Sequence, residues 1–315
     1  MNRVKFIEIN SELGAGTRGA SLGPDSLKIA ALNNQNPIFR DSDYTIIGDN
    51  NISLIEPFKD SSAKYIDGIF DIYKEVLPIT KDAVEKGNFP IFLIGDHSNS
   101  GATISSIKLA HPDKRIGVVW IDAHADIHTP YTTPSGNVHG MPLAVLLAED
   151  NLKENINEPS EQTKAIWEAM KSFGGIEPKV SSEDLIYVAL RSFEKPEESL
   201  IKEKGINVLT VAHIEESGSK KIADEIAQLL KNCDLIHVSF DVDSLDADIA
   251  FGTGTPVSGG LSFEMGKSLI LKLLANPKIC SMDIAEINPL LDNKNQLGEK
   301  AYTILKEVVE LKNSN

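Results

Sequence analysis

Short runs of continuous apolar, β-branched residues alternate along the chain with longer stretches whose apolar positions recur at helical spacing. The runs are VKFIEI (4–9), FPIFLIG (89–95), RIGVVWI (115–121), DLIYVAL (184–190), NVLTV (207–211), DLIHVSF (234–240) and ICSMDIA (279–285). A strand open to solvent on one side alternates apolar with polar. An unbroken apolar run fits a strand covered on both faces, as in a parallel sheet. Between the runs, 26–34, 63–87, 160–173 and 219–232 read as helices. This order predicts an α/β fold, a three-layer α/β/α sandwich around a mainly parallel sheet. No linker or change of composition splits the sequence, so residues 1–315 read as one domain. The polar stretch 149–183 holds one helix and reads as a solvated surface excursion with no assigned role.

Polar residues follow the runs in a regular way. FPIFLIG leads into Asp96, His97 and Ser98; RIGVVWI into Asp122, His124 and Asp126; DLIYVAL into Arg191; DLIHVSF into Asp241 and Asp243; ICSMDIA into Glu286. Open parallel sheets bind ligands outside the carboxyl ends of their strands. In extended backbone, residues at i, i+2 and i+4 point the same way, so Asp122, His124 and Asp126 converge, as do Asp241 and Asp243. A lone Asp after a strand is ordinarily a cap or turn residue. Carboxylates at this density repel one another unless cations neutralise them. Two imidazoles and four carboxylates, without thiolates, suit divalent ions such as Mn²⁺, and their number suits two ions.

The net charge of −15 disfavours nucleic acid and anionic membranes and suits a cationic small substrate. The two cysteines, Cys233 and Cys280, read as reduced thiols of a cytoplasmic protein. MNRVKFIEIN lacks the apolar core of a signal peptide, and no run of about 18 apolar residues occurs.

GDHS (95–98), DAHADIHTP (122–130), SGNVHGMP (135–142), SFDVDSLD (239–246), TGTPVSGGL (253–261) and MDIAEINP (282–289) resemble the ordered motifs of the ureohydrolase family, and most closely its arginase branch. GAGTRGASLGPDSLKIA is similar to that family's opening loop and first helix. The resemblance spans nearly the whole chain. It implies an eight-stranded sheet, a binuclear manganese centre (with Co²⁺ as a possible substitute) and a homo-oligomer, a trimer or hexamer. It implies hydrolysis of L-arginine to L-ornithine and urea by a hydroxide shared between the ions. His97, Asp122, Asp126 and Asp241 would serve one ion, and Asp122, His124, Asp241 and Asp243 the other. His139 matches a proton-shuttle histidine, Asp126 a proton acceptor, and Glu286 the carboxylate that binds guanidinium.

Four aspartates cancel two divalent ions, so a shared hydroxide and Glu286 leave the site net negative, which favours a cationic substrate. Matching residues assign the α-carboxylate of arginine to Ser135 and Asn137, and its α-amine to Glu194 and Glu197. Thr255 falls near the guanidinium and His128 beside the pocket. Four positions depart from the family pattern: His128 stands where Asn is usual, Glu194 and Ser192 where Asp is usual, and Ile94 where Gly is usual. Related activities on agmatine or 4-guanidinobutyrate are the alternative. Asp246 is expected to orient a loop, and His237 to be structural.

Overall fold

The computed structural model describes residues 4–314. Its strands are β1 (Val4–Ile9), β2 (Asp43–Ile47), β3 (Phe89–Ile94), β4 (Ile116–Ile121), β5 (Leu185–Val188), β6 (Asn207–Leu209), β7 (Leu235–Asp241) and β8 (Ile279–Ala285). They form one sheet in the order β2-β1-β3-β8-β7-β4-β5-β6, with every neighbouring pair parallel. The helices are α1 (Gly23–Asn33), α2 (Ile66–Glu85), α3 (Ser98–Ala110), α4 (Pro142–Leu147), α5 (Glu161–Lys171), α6 (Lys195–Lys204), α7 (Val211–Ser217), α8 (Ser219–Leu229), α9 (Phe263–Leu274) and α10 (Gln296–Ser314).

Each apolar run of the sequence contains a strand, and all but the half-buried edge strand β6 are covered on both faces. Alternate residues feed two separate cores. Phe6, Ile91, Val119, Phe240 and Ile284 pack with Leu27, Ile222, Leu269 and Leu305 from α1, α8, α9 and α10. Ile7, Phe92, Trp120 and Tyr187 pack with Ile69, Ile104, Leu146 and Trp167 from α2 to α5. The predicted sandwich is therefore present. Strand β2 is absent from the apolar pattern because it is the sheet's outer edge. Asp43 and Ile46 are exposed, and only Ile47 is buried.

The stretch 149–183 lies largely at the surface, as its polarity indicates, but one side of it is packed. Trp167 and Met170 of α5 are buried in the second core. Asn157 Nδ2 donates to the carbonyls of Pro130 (3.1 Å) and Thr133 (2.7 Å). The Ile156 and Asn157 amides donate to the Tyr131 carbonyl at 2.9 and 3.0 Å. The segment braces residues 130–133, which border the site described next. No helix among the described residues is long and apolar enough to cross a membrane.

Candidate active site

The carboxyl ends of β3, β4, β7 and β8 lie side by side at the sheet centre and deliver their polar residues to one place. His97 caps the start of α3; its Nδ1 lies 2.9 Å from Asp122 Oδ2, 3.1 Å from Asp126 Oδ2 and 3.2 Å from Asp241 Oδ2. His124 Nδ1 lies 3.0 Å from Asp243 Oδ2 and 3.7 Å from Asp122 Oδ1. Asp122 thus faces both histidines. His97, Asp122, Asp126, Asp241 and Asp243 are all buried.

These contacts are poor hydrogen bonds and good ligand spacings. His97 Nδ1 and Asp122 Oδ2 are buried without a hydrogen-bond partner of acceptable geometry. Ligand atoms about 2.1 Å from a common cation and at right angles stand about 3.0 Å apart, the separation seen around His97. The donors of His97, Asp122 and Asp126 form one group able to hold a metal ion; those of Asp122, His124 and Asp243 form a second. The residues present therefore fit two divalent cations.

Without cations, protons must separate the carboxylates. Burial and the Asp122 charge push Asp126 up to about 6. Burial, with the charges of Asp243 and Asp122, raises Asp241 well above the carboxylate range. Burial opposes ionisation of His124, but Asp243 and Asp122 together outweigh it and lift the imidazole to about 12. For His97, the close approach of Asp122, Asp126 and Asp241 likewise outweighs burial and raises it.

Asp126 and Glu286 have left-handed backbones, with φ of 48° and 64°. Non-glycine residues adopt this region at a cost of about 1–3 kcal/mol each, and such strain clusters at functional sites. At Glu286 the turn aims the carboxylate back over the cluster. Its Oε1 accepts the His97 amide at 2.9 Å and meets His139 Nδ1 at 3.1 Å. Burial would lower the His139 pKa, but the Glu286 hydrogen bond and charge raise it to about 9.

A pocket opens at the cluster, lined by His124, Asp126, Asp241, His139 and Glu286. His128, Ser135, Asn137, Ser192, Glu194, Glu197 and Thr255 complete the wall. Every residue assigned to substrate from the sequence thus borders one cavity. Thr255 Oγ1 donates to Asp243 Oδ2 at 3.2 Å, so it also steadies that carboxylate. His128 Nε2 meets Glu194 Oε2 at 2.6 Å, and Glu197 Oε2 stands 3.5 Å from the same nitrogen. Burial pushes Glu197 up to about 9. Asp246 binds the Gly259 and Gly260 amides at 2.7 and 3.0 Å, the loop role expected of it. Ile94 ends β3 in the second core, away from the pocket lining.

Lys64 escaped the sequence reading. Its Nζ donates to Asn137 Oδ1 at 3.1 Å, which fixes that amide at the pocket. A single lysine at the start of a long helix carries no motif, so only the fold reveals it. The Lys64 amide also donates to the Gly136 carbonyl at 2.9 Å. Gly136 has φ of 72°, and a Cβ there would lie 1.8 Å from the Ser61 carbonyl oxygen. Gly136→Ala is therefore expected to displace Ser135 and Asn137. Substrate titration should show KM raised more than kcat is lowered, with about 1–3 kcal/mol of stability lost. An unchanged KM would show that this loop does not hold substrate.

Comparison with known proteins agrees with this geometry. The sequence model of the arginase family matches residues 2–310. The arginase of Brevibacillus brevis is 33% identical over 314 residues, covering 98% of each chain. The solved arginase of Bacillus caldovelox superposes with a TM-score of 0.81 at 29% identity, covering 98% of each chain. The Entamoeba histolytica arginase, solved with L-ornithine, gives 0.82 at 27% identity, covering 98% of this chain and 99% of its own. The fold and its polar edge define a hydrolase of the ureohydrolase class. Within that class, the chain belongs to the arginase family.

Proposed function

We propose that this protein hydrolyses L-arginine to L-ornithine and urea, using two divalent cations, Mn²⁺ in the first instance. The observation that carries the reading is the distribution of charge in one pocket. Acidic groups line it in two sets: Glu286 with the His/Asp cluster, and Glu194 with Glu197 around His128. Neutral donors, Ser135 and Asn137, border the same space. Arginine carries a guanidinium at one end, and an ammonium and a carboxylate at the other. The arginase family relatives support the same substrate.

His97, Asp122, Asp126 and Asp241 would hold one cation, and Asp122, His124, Asp241 and Asp243 the other. When bound, such a pair lowers the pKa of a shared water and so supplies a nucleophile near neutral pH. Glu286, fixed by the His97 amide, accepts the guanidinium N–H groups and presents the carbon to that nucleophile. Asp126 takes the proton lost by the attacking water and passes it to the departing nitrogen as the C–N bond breaks. His139, whose imidazolium Glu286 favours, gives the proton that leaves ornithine as an ammonium and is recharged from solvent. The left-handed turns at Asp126 and Glu286 fix both carboxylates before substrate arrives, which lowers the entropic cost of alignment.

A substrate panel tests the reading. The protein should release urea from arginine with far higher kcat/KM than from agmatine, which lacks the carboxylate, or 4-guanidinobutyrate, which lacks the amine. Glu194→Gln, which neutralises the carboxylate that the His128 contact holds below its usual range, should raise KM for arginine about two- to fivefold and leave 4-guanidinobutyrate nearly unaffected, the size expected for a half-exposed charged partner. Preference for agmatine or 4-guanidinobutyrate would move the protein to a sister activity of the same family. We expect a homo-oligomer in the cytoplasm, which sedimentation and fractionation would test.

A further inference from the structure

Strands β7 and β8 carry a line of polar residues where central strands of a parallel sheet are ordinarily apolar. His237, Ser239 and Asp241 alternate along β7 on one face. In the paired register, His237 faces Ser281, Ser239 faces Asp283, and Asp241 faces Ala285. His237, Ser239, Ser281 and Asp283 are completely buried. Only Asp241 belongs to the His/Asp cluster, so the other four need a separate explanation.

Their hydrogen bonds run in one direction. Asp283 Oδ1 accepts from Ser239 Oγ at 2.6 Å. Asp283 Oδ2 accepts from Thr103 Oγ1 of α3 at 2.9 Å and meets His237 Nε2 at 3.0 Å. Ser281 Oγ holds His237 Nδ1 at 2.8 Å. A carboxylate only accepts, so the single Ser239 hydroxyl hydrogen is committed to Asp283. His97 Nε2 lies 2.8 Å from Ser239 Oγ and must then be the donor. Neutral His97 is left with a bare Nδ1, the nitrogen that faces Asp122, Asp126 and Asp241. Trp120 stacks on the His97 ring at 4.0 Å and 13°, which fixes its plane but not its tautomer.

We propose that Asp283, acting through Ser239, is a positioning residue for the metal centre: it sets the tautomer of His97 so that Nδ1 offers its lone pair to the cation. Thr103 and His237 hold Asp283 in place for that task. The proposal rests on the reading that the cluster holds two divalent ions. Partners behind a metal-ligating histidine generally change metal affinity about 10–100-fold when removed.

The test is Mn²⁺ binding measured by competition with a chelating indicator, together with melting of the metal-free protein. Wild type should bind two ions. Ser239→Ala, which removes one hydroxyl, and Asp283→Asn, which preserves shape, should each weaken one ion about 10–100-fold and leave the other unchanged. The double variant should be no weaker than the weaker single, because both changes cut the same link. Variants that melt earlier yet retain both ions at wild-type affinity would overturn the proposal and leave the metal reading intact. A wild type that binds no Mn²⁺ would remove the metal reading, and this proposal with it.

Discussion

Asp126→Asn, loaded with Mn²⁺, is expected to lose urea production from arginine by about 10²–10⁴-fold in kcat, the range for removal of a positioned proton acceptor. Asp126 sits between two duties. Its Oδ2 lies 3.1 Å from His97 Nδ1, within the group able to hold a metal ion. It also borders the pocket beside His139 and Glu286. The amide keeps the shape and one neutral oxygen but neither accepts the proton nor carries the charge. Metal content must be measured alongside. A variant that keeps two ions and loses turnover isolates the proton-transfer role; one that loses an ion as well has lost a ligand. Turnover equal to wild type would remove Asp126 from the mechanism.

The second large effect is the stability conferred by metal, and it should grow with pH. Asp126 folds with a pKa near 6 instead of the usual 3.8. A raised pKa means the metal-free folded state binds more protons than the unfolded chain. Its contribution is complete below about pH 4 and is lost as pH rises through 6. His124, raised to about 12 by Asp243 and Asp122, works in the same sense above its ordinary 6.5. As pH rises, the metal-free fold loses the protons that keep its aspartates together, while ligands become free for cations. Free Mn²⁺ at a thousandfold its Kd contributes about 4 kcal/mol, which raises the melting point on the order of 10 °C. The gap between loaded and stripped protein should be small near pH 5 and widen steadily to pH 7.5. A gap that narrows over that range would show that the carboxylate cluster does not bind the ion.

Much of this was legible in the sequence, for physical reasons. Parallel strands buried on both faces cannot hide their apolar runs, and the turn after each run exposes its polar residues at one edge. Spacing of two residues pointed to Asp122, His124 and Asp126 together, although β4 ends at Ile121 and a left-handed turn at Asp126, not extended alternation, brings that carboxylate to His97. Strand β2 was not legible because its sequence, DYTII, opens on polar residues and stays largely open to solvent at the sheet edge, as the exposed Asp43 and Ile46 show. The packed side of 149–183 was not legible because its charged residues suggested solvent throughout, yet Lys171 and Lys179 are buried. Lys171 is neutralised by Asp150 at 2.6 Å. The network behind His97 was recognisable only in part. Polar residues at His237, Ser239, Ser281 and Asp283 interrupt two central strands, but their register across the sheet comes from the fold alone.

The departures at His128 and Glu194 are mutually consistent. A longer carboxylate reaches a larger ring, and the two meet at 2.6 Å. Nothing in the structure explains Ser192, whose amide bonds the Ala123 carbonyl whatever its side chain.

Anomalous diffraction at the manganese edge, from crystals grown with Mn²⁺, tests the central assignment most directly. Two peaks are expected, one among His97, Asp122, Asp126 and Asp241, the other among Asp122, His124, Asp241 and Asp243. A map with no peak there, or with density only between His128, Glu194 and Glu197, would contradict it.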